Sequence, residues 1–219
     1  MKNCKTPYIT YIAILIFIFT ASKLTILNSY LDILVAVLFL YTPILFLFIK
    51  KRHPSYYGIG KNRAIKSILR ALLVAIIIFP LYIAAFYLYN RYVLGLNMDF
   101  QGTKLVHQPG LLLFVLNNLL MVAIPEEVFY RGYIQSELKQ CDRKKIMLLG
   151  TEIGYSFLSV NIMFAIGHII LIPNITRLSV FFPGLVFSWL REKDDNIAGA
   201  IIFHWLSNVL SFALFTLLL

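Results

Sequence analysis

Residues 111–138 read LLLFVLNNLLMVAIPEEVFYRGYIQSEL, and the segment Ala123-Ile124-Pro125-Glu126-Glu127-Val128-Phe129-Tyr130-Arg131-Gly132 sets two acids and a base inside this otherwise apolar run. A helix rising about 1.5 Å per residue needs roughly 20 apolar residues to cross about 30 Å of hydrocarbon. The run is long enough, which makes its polar residues the exceptions to explain. Each ionisable group near a bilayer centre costs roughly 2.5 to 3.5 kcal/mol on insertion scales, so three together call for a use or a partner. Glu127 and Arg131 are four residues apart and lie one above the other on a helix face, where they can neutralise each other. Glu126 points about 100° away and has no partner on its own helix. An unpaired acid in a low-dielectric place is the kind of group from which a general base working near neutrality is made. Pro125 removes a backbone donor and leaves the carbonyl of Met121 without its helical partner, a defect tolerated in membranes where protein or water lines a cavity. The plainer alternative is a structural ion cluster anchoring a helix near the interface, since Tyr130 and the lysines begin within a few turns.

The rest of the chain suits the same solvent. Of its 219 residues, 60% are hydrophobic and 14% charged, with a mean hydropathy of +0.80, whereas soluble domains are about half apolar and a quarter charged. Apolar stretches fall near 8–27, 31–49, 71–90, 110–138, 146–172, 177–190 and 197–219. They predict an all-α, polytopic transmembrane helix bundle of about seven spans, a multi-pass protein of the cell membrane folded as one domain. The breaks, at Lys50 to Pro54, Asp99 to Pro109, Cys141 to Lys145, Pro173-Asn174 and Glu192 to Asn196, are charged or turn-rich. Residues 1–109 would supply the N-terminal spans and a basic interfacial helix at 61–70, where Arg63, Lys66 and Arg70 recur at helical spacing beside Ile65, Ile68 and Leu69. Residues 110–219 hold the helical core that carries the unusual polar groups. Lys2 and Lys5 before Tyr8 to Phe19 imitate a signal peptide. The apolar character continues towards Leu27 and no small-x-small site precedes Lys23, so a retained first span is expected.

The formal charge is +10, but the basic residues sit in the short breaks, where topology signals belong, and not in a patch for nucleic acid. No nucleic-acid partner is expected; the bilayer is. Taking alternate breaks together, one side holds Lys2, Lys5, seven residues between Lys50 and Arg70, Lys139, Arg143, Lys144, Lys145, Arg191 and Lys193. The other holds Lys23, Arg91, Lys104 and Arg177, fifteen against four. The positive-inside rule then places the N-terminus in the cytoplasm and, with seven spans, the C-terminus outside. Cys4 and Cys141 both adjoin basic clusters on the cytoplasmic side, where thiols stay reduced, so no disulfide is expected.

Two further segments carry polar residues in apolar surroundings. In Phe164-Ala165-Ile166-Gly167-His168 the aromatic ring and the imidazole share a face, and Gly167 admits a neighbouring helix. A lone membrane histidine is commonly a hydrogen-bonded packing residue. In His204-Trp205-Leu206-Ser207-Asn208 the imidazole and the amide are i and i+4 and can reach one point, although Asn and His also serve as interhelical glue. Acids, imidazoles and an amide converging from three separate segments form the pattern expected of catalysis. Asn117, Asn118, Glu152 and Asn161 read as interhelical hydrogen-bonders, with Glu152 close to the cytoplasmic interface, and His53 and His107 as loop residues without a role.

Glu126-Glu127-x-x-x-Arg131, Phe164-x-x-x-His168 and His204-x-x-x-Asn208, in this order on separate spans, resemble the three motifs of the CAAX-protease and bacteriocin-processing membrane peptidases. This family is also called the Abi proteins or type II CAAX prenyl endopeptidases. The likeness covers roughly residues 110–219, including the run Gly184 to Arg191; residues 1–109 match only in being hydrophobic. One departure is the long stretch between Glu126 and His168. The resemblance implies an intramembrane endopeptidase of glutamic type acting on a membrane-associated protein or peptide, with 110–219 as its catalytic core. Glu126 would be the general base on water, His168 would help bind and activate that water, and His204 and Asn208 would donate to the tetrahedral oxyanion, a contact worth about 2.7 to 4 kcal/mol per donor. Glu127, Arg131 and Phe164 would support them, and no cofactor is implied. A zinc site on Glu126, His168 and His204 is the chemical alternative, without the one-helix His-Glu-x-x-His arrangement. A non-catalytic transporter or immunity protein, using the charges as relay or scaffold, is the alternative of another class.

Overall fold

The computed structural model describes residues 4–97, 108–171 and 173–218. Among these the chain is helical almost throughout, as the apolar runs require. Its main helices are α1 (Thr6–Lys23), α2 (Leu31–Ile49), α3 (Ala64–Val93), α4 (Leu111–Lys139), α5 (Tyr155–Leu171), α6 (Phe181–Asp194) and α7 (Ala198–Leu218). α1, α2, α3, α4 and α7 are long and apolar enough to cross a bilayer. Their outward faces are apolar too: Ile65, Leu69, Leu73, Ile76 and Ile77 of α3 are all exposed, which fits a hydrocarbon solvent.

The spans expected at 146–172 and 177–190 come out shorter. Residues 145–154 form a β-hairpin, β1 (Lys145–Leu148) against β2 (Thr151–Gly154), turning at Leu149 and Gly150 with φ of 46° and 74°. Glycines at 150 and 154 around Glu152 break the helical pattern, so α5 begins only at Tyr155. A 3-10 turn over Ile175–Val180 likewise delays α6 until Phe181. At 17 and 14 residues these helices reach about 26 and about 21 Å, short of the hydrocarbon thickness. The basic segment at 61–70 is no separate helix: Ser67 and Arg70 lie in the opening turns of α3, after a left-handed Arg63. The break expected at Asp99 to Pro109, with Lys104 and His107, lies outside the described residues apart from Gln108 and Pro109.

One end of the bundle gathers the basic breaks. Glu137, at the end of α4, binds Lys50 and Arg52 from beyond α2 and the hydroxyl of Tyr57. Arg70 of α3 pairs with Asp194 of α6, and Lys139 of α4 with Glu192. Asn196 donates to the carbonyls of Gly60 and Asn62. Cys4 belongs to this end as well, and it is joined to Cys141 by a disulfide with a Cα–Cα distance of 6.1 Å. The reduced pair expected from the sequence is corrected: the start of α1 lies against the turn that ends α4, which no local pattern foretells.

α7 packs along α3 and α6, and α5 along α6. The α3–α7 approach is close because small residues face each other. Ser67, Ala71 and Ala75 oppose Gly199 and Ala200, all buried, and the Ser67 hydroxyl accepts from the Gly199 N–H. A Cβ on Gly199 would come within 2.6 Å of the Ser67 carbonyl oxygen, so only glycine permits this contact. Between α2, α4, α5 and α6 the core is aromatic: Phe39 stacks on Phe129 at 4.5 Å, and Tyr130 and Phe187 both meet Phe164 edge-on.

Candidate active site

α4 is not a regular helix. π-helical turns over Asn118–Ala123 and Val128–Ile134 flank the four residues Ile124–Glu127. Pro125 forbids the ordinary ladder there, and widened turns of this kind recur at functional sites. Glu126 and Glu127 therefore sit on the one short α-turn between two widened ones, about 20 Å from either end of α4.

Glu127 is wholly buried and its Oε1 accepts twice, from Arg131 Nη1 at 3.1 Å and from His204 Nδ1 at 2.9 Å. The Glu127–Arg131 pairing expected from the i,i+4 spacing is present; its extension to His204, across from α7, has no signature in the sequence. Arg131 is equally buried. Its Nη2 donates to Asn161 Oδ1 and to the Gly184 carbonyl, both at 3.1 Å, and its guanidinium lies over the Phe164 ring at 4.3 Å and Phe187 at 5.0 Å. Asn161 is held in turn by the Phe157 carbonyl and Ser188. One arginine thus ties α4 to α5 and α6 and neutralises the acid that orients His204.

Glu126 points elsewhere. Its Oε2 is buried without a hydrogen-bond partner and lies 3.9 Å from His204 Nε2, too long for a hydrogen bond yet close enough for both atoms to contact one water. Since a carboxylate only accepts, His204 Nδ1 donates to Glu127 and its Nε2 turns towards Glu126. The His204 ring is fixed by stacking on Phe187 at 4.7 Å.

His168 lies near the end of α5, its Nδ1 2.8 Å from the Phe164 carbonyl and its ring 4.5 Å from that of Phe164. The carbonyl can only accept, which leaves His168 Nε2 with its lone pair free. This ring is the wall between two hollows. One, of about 470 Å³, is lined by His168, His204, Ser207 and Asn208 among apolar residues of α3, α6 and α7. The other, of about 830 Å³, is lined by Glu126, Tyr130 and His168 together with Asn117, Asn118 and residues of α2. Asn208 donates to Asn118 Oδ1 at 3.2 Å, leaving one amide hydrogen to spare. The six polar residues singled out in the sequence are thus grouped, four in one contact network and His168 and Asn208 on the walls beside it. Gly167 admits a neighbour as expected: a Cβ there would lie 2.7 Å from the Tyr130 hydroxyl.

Residues 108–210 match the family model described as type II CAAX prenyl endopeptidase Rce1-like. Over these residues the chain is similar to that family. The match opens just before α4 and closes two residues past Asn208, so it takes in every group of the site, Gly184 and Ser188 included. No curated protein and no solved structure matched the chain. The likeness supports a CAAX-type membrane protease in general terms, and the chemistry must be argued from the chain's own side chains.

Proposed function

We propose that the chain is an intramembrane endopeptidase of glutamic type that hydrolyses a peptide bond in a membrane-associated protein or peptide. The observation that carries this is the unpartnered Glu126 Oε2 beside His204 Nε2, in a site whose other acid is paired through its Oε1 with Arg131 and His204. Glu126 takes a proton from water as the hydroxide oxygen bonds to the peptide carbonyl carbon. His168 Nε2, free on its side of the hollow, holds the water by accepting its other hydrogen. His204, when its Nε2 carries a proton, and the spare amide hydrogen of Asn208 donate to the oxyanion. Collapse of the tetrahedral species breaks the C–N bond, and the proton on Glu126 passes to the leaving amine. Glu127 accepts from His204 Nδ1 and so orients the ring and favours the imidazolium that donates from Nε2, and Arg131 and Phe164 hold Glu127 and the rings in place.

A zinc-dependent reading on Glu126, His168 and His204 is less well supported. Among the described residues no three His, Cys, Asp or Glu side chains gather at separations that would hold an ion, and cleavage is expected to survive a strong chelator. The test of the enzyme reading compares peptides in membranes carrying the wild-type protein or Glu126→Gln by mass spectrometry. Glu126-dependent products should vanish while the variant, extracted in detergent, unfolds as the wild type does. An undiminished product set in Glu126→Gln would leave a scaffold or transporter as the better reading.

A further inference from the structure

The hairpin between α4 and α5 turns its apolar side chains outward. Ile146, Met147 and Leu149 are 66, 70 and 76% exposed and Leu148 is 38% exposed. Successive residues of a strand point to opposite faces, so β1 is apolar on both. Among the described residues it pairs with β2 alone, which leaves its outer edge open. Directly before this run stand Arg143 and Lys144, both exposed, and Lys145, which reaches Glu152 across the hairpin at 3.2 Å. Among the described residues no carboxylate pairs with Arg143 or Lys144.

The hairpin is held from behind, so this exposure is built in. Lys193 of α6 donates from Nζ to the carbonyls of Leu149 and Gly150, at 3.2 and 2.6 Å. β2 packs on α6 and on the start of α5, with Ile153 buried. Asp142, just ahead of the strands, accepts from the N–H and the hydroxyl of Ser156 at 2.8 and 2.7 Å, which closes the first turn of α5. A Cβ on Gly154 would collide with that carboxylate.

The level of the hairpin follows from its neighbours. It lies at the basic cap of the bundle, where Glu137 gathers Lys50, Arg52 and Tyr57 and where Lys139 at the end of α4 pairs with Glu192 of α6. α5 begins right after it and, at about 26 Å, falls short of the hydrocarbon thickness, so the strands stand where hydrocarbon gives way to headgroups. Deeper in the hydrocarbon the open edge of β1 would have no hydrogen-bond partners. In water Ile146 to Leu149 would form a bare apolar patch. The headgroup layer meets both needs, and three cations beside the apolar run select its charge.

We propose that the hairpin is a binding site for anionic phospholipid, with Ile146 to Leu149 seated among the upper acyl chains and Arg143, Lys144 and Lys145 on the headgroup phosphates. The site is separate from the polar network of α4, α5 and α7. Neither the peptidase reading nor the direction of the bundle across the membrane enters into it.

The test places a fluorophore on Met147→Cys in a Cys4→Ser/Cys141→Ser background, or in the native background with that pair bonded if the first does not accumulate. The protein is reconstituted in phosphatidylcholine nanodiscs, which leave both faces open to solutes. Phosphatidylglycerol or phosphatidylcholine, spin-labelled high on an acyl chain, is titrated in, and aqueous iodide is the opposing quencher. Labelled phosphatidylglycerol should quench at a lower fraction than labelled phosphatidylcholine, and iodide should quench less than it does at Lys61→Cys. Each Lys or Arg near an anionic surface adds about fivefold to binding, so Arg143→Gln/Lys144→Gln should need about 25 times more labelled phosphatidylglycerol for half-quenching. Equal half-quenching by the two lipids, or no change in the double variant, overturns the proposal. So does full quenching by iodide without quenching by lipid, which would put the hairpin in water. Protection from both quenchers overturns it as well, because a protein surface such as a second copy of the chain would then cover β1.

Discussion

Replacing Glu127 by Gln keeps the shape of the side chain and removes the only carboxylate charge in contact with Arg131 among the described residues. Arg131 would keep Asn161 and the Gly184 carbonyl as acceptors but would lose the one carboxylate it touches while remaining fully buried. Breaking a buried ion pair by removing one member costs about 3 to 5 kcal/mol, of which the neutral hydrogen bonds an amide oxygen can still accept return about 1. Glu127→Gln is therefore expected to destabilise by about 2 to 4 kcal/mol. Arg131→Met should cost about 3 to 5 kcal/mol, because it strands a buried carboxylate. The double variant removes both charges together and should fall short of the sum of the singles by about 2 to 3 kcal/mol. Equilibrium unfolding in detergent, followed through Trp189 and Trp205, measures all four corners of this cycle. Agreement with additivity within about 0.5 kcal/mol would show the two residues to be energetically independent, and the account of Arg131 as the neutraliser of Glu127 would be wrong.

Two other outcomes follow from the same contacts. Asn208→Ala removes one proposed oxyanion donor and should lower kcat about 10² to 10³-fold with little change in KM; an unchanged kcat would take Asn208 out of the reaction and leave it as the partner of Asn118. At the cap, burial first and the neighbouring Glu137 second push the Tyr57 phenol far above its ordinary range, and the same causes raise Tyr56. A group whose folded pKa is raised lends stability below its unfolded value and loses it as pH climbs, so unfolding midpoints should fall above about pH 10. Tyr57→Phe should flatten that fall, and an equally steep decline in the variant would assign it to lysine titration in the cap.

What the sequence could disclose followed from local rules. The spacing of Glu127 and Arg131 is a property of one helix, and so is the common face of His204 and Asn208, so both were legible before any fold was known. Length and apolarity marked seven stretches, five of which are helices long and apolar enough to cross a bilayer. The hairpin at 145–154 was hidden because the apolar run Ile146 to Leu149 leads straight on towards α5, and only Gly150, Glu152 and Gly154 betray it. The Glu127–His204 contact, the Cys4–Cys141 bond and the hold of Gly184 and Asn161 on Arg131 join residues distant in sequence. Each arises from which helices become neighbours, and that is decided by packing rather than by periodicity. Asn161 read correctly as an interhelical hydrogen-bonder, but nothing near it in sequence named an arginine as its partner.

Two adjacent acids end with opposite duties because a helix turns about 100° between them. Glu127 is carried towards α7 and spends both its charge and its Oε1 on fixed partners. Glu126 is carried towards the hollow and keeps an oxygen with none. Such a pair, one carboxylate locked and one open, is how neighbouring groups of the same kind come to hold different roles. The locking partner must be buried and always charged, which suits arginine and not lysine. Its guanidinium must also find enough acceptors to be tolerated there, and the Gly184 carbonyl and Asn161 provide them. The buried half of α4 is therefore the condition for the hollow beside it: packing from Glu127 to Leu138 fixes Arg131, Arg131 fixes Glu127, and Glu127 sets the one imidazole that faces Glu126.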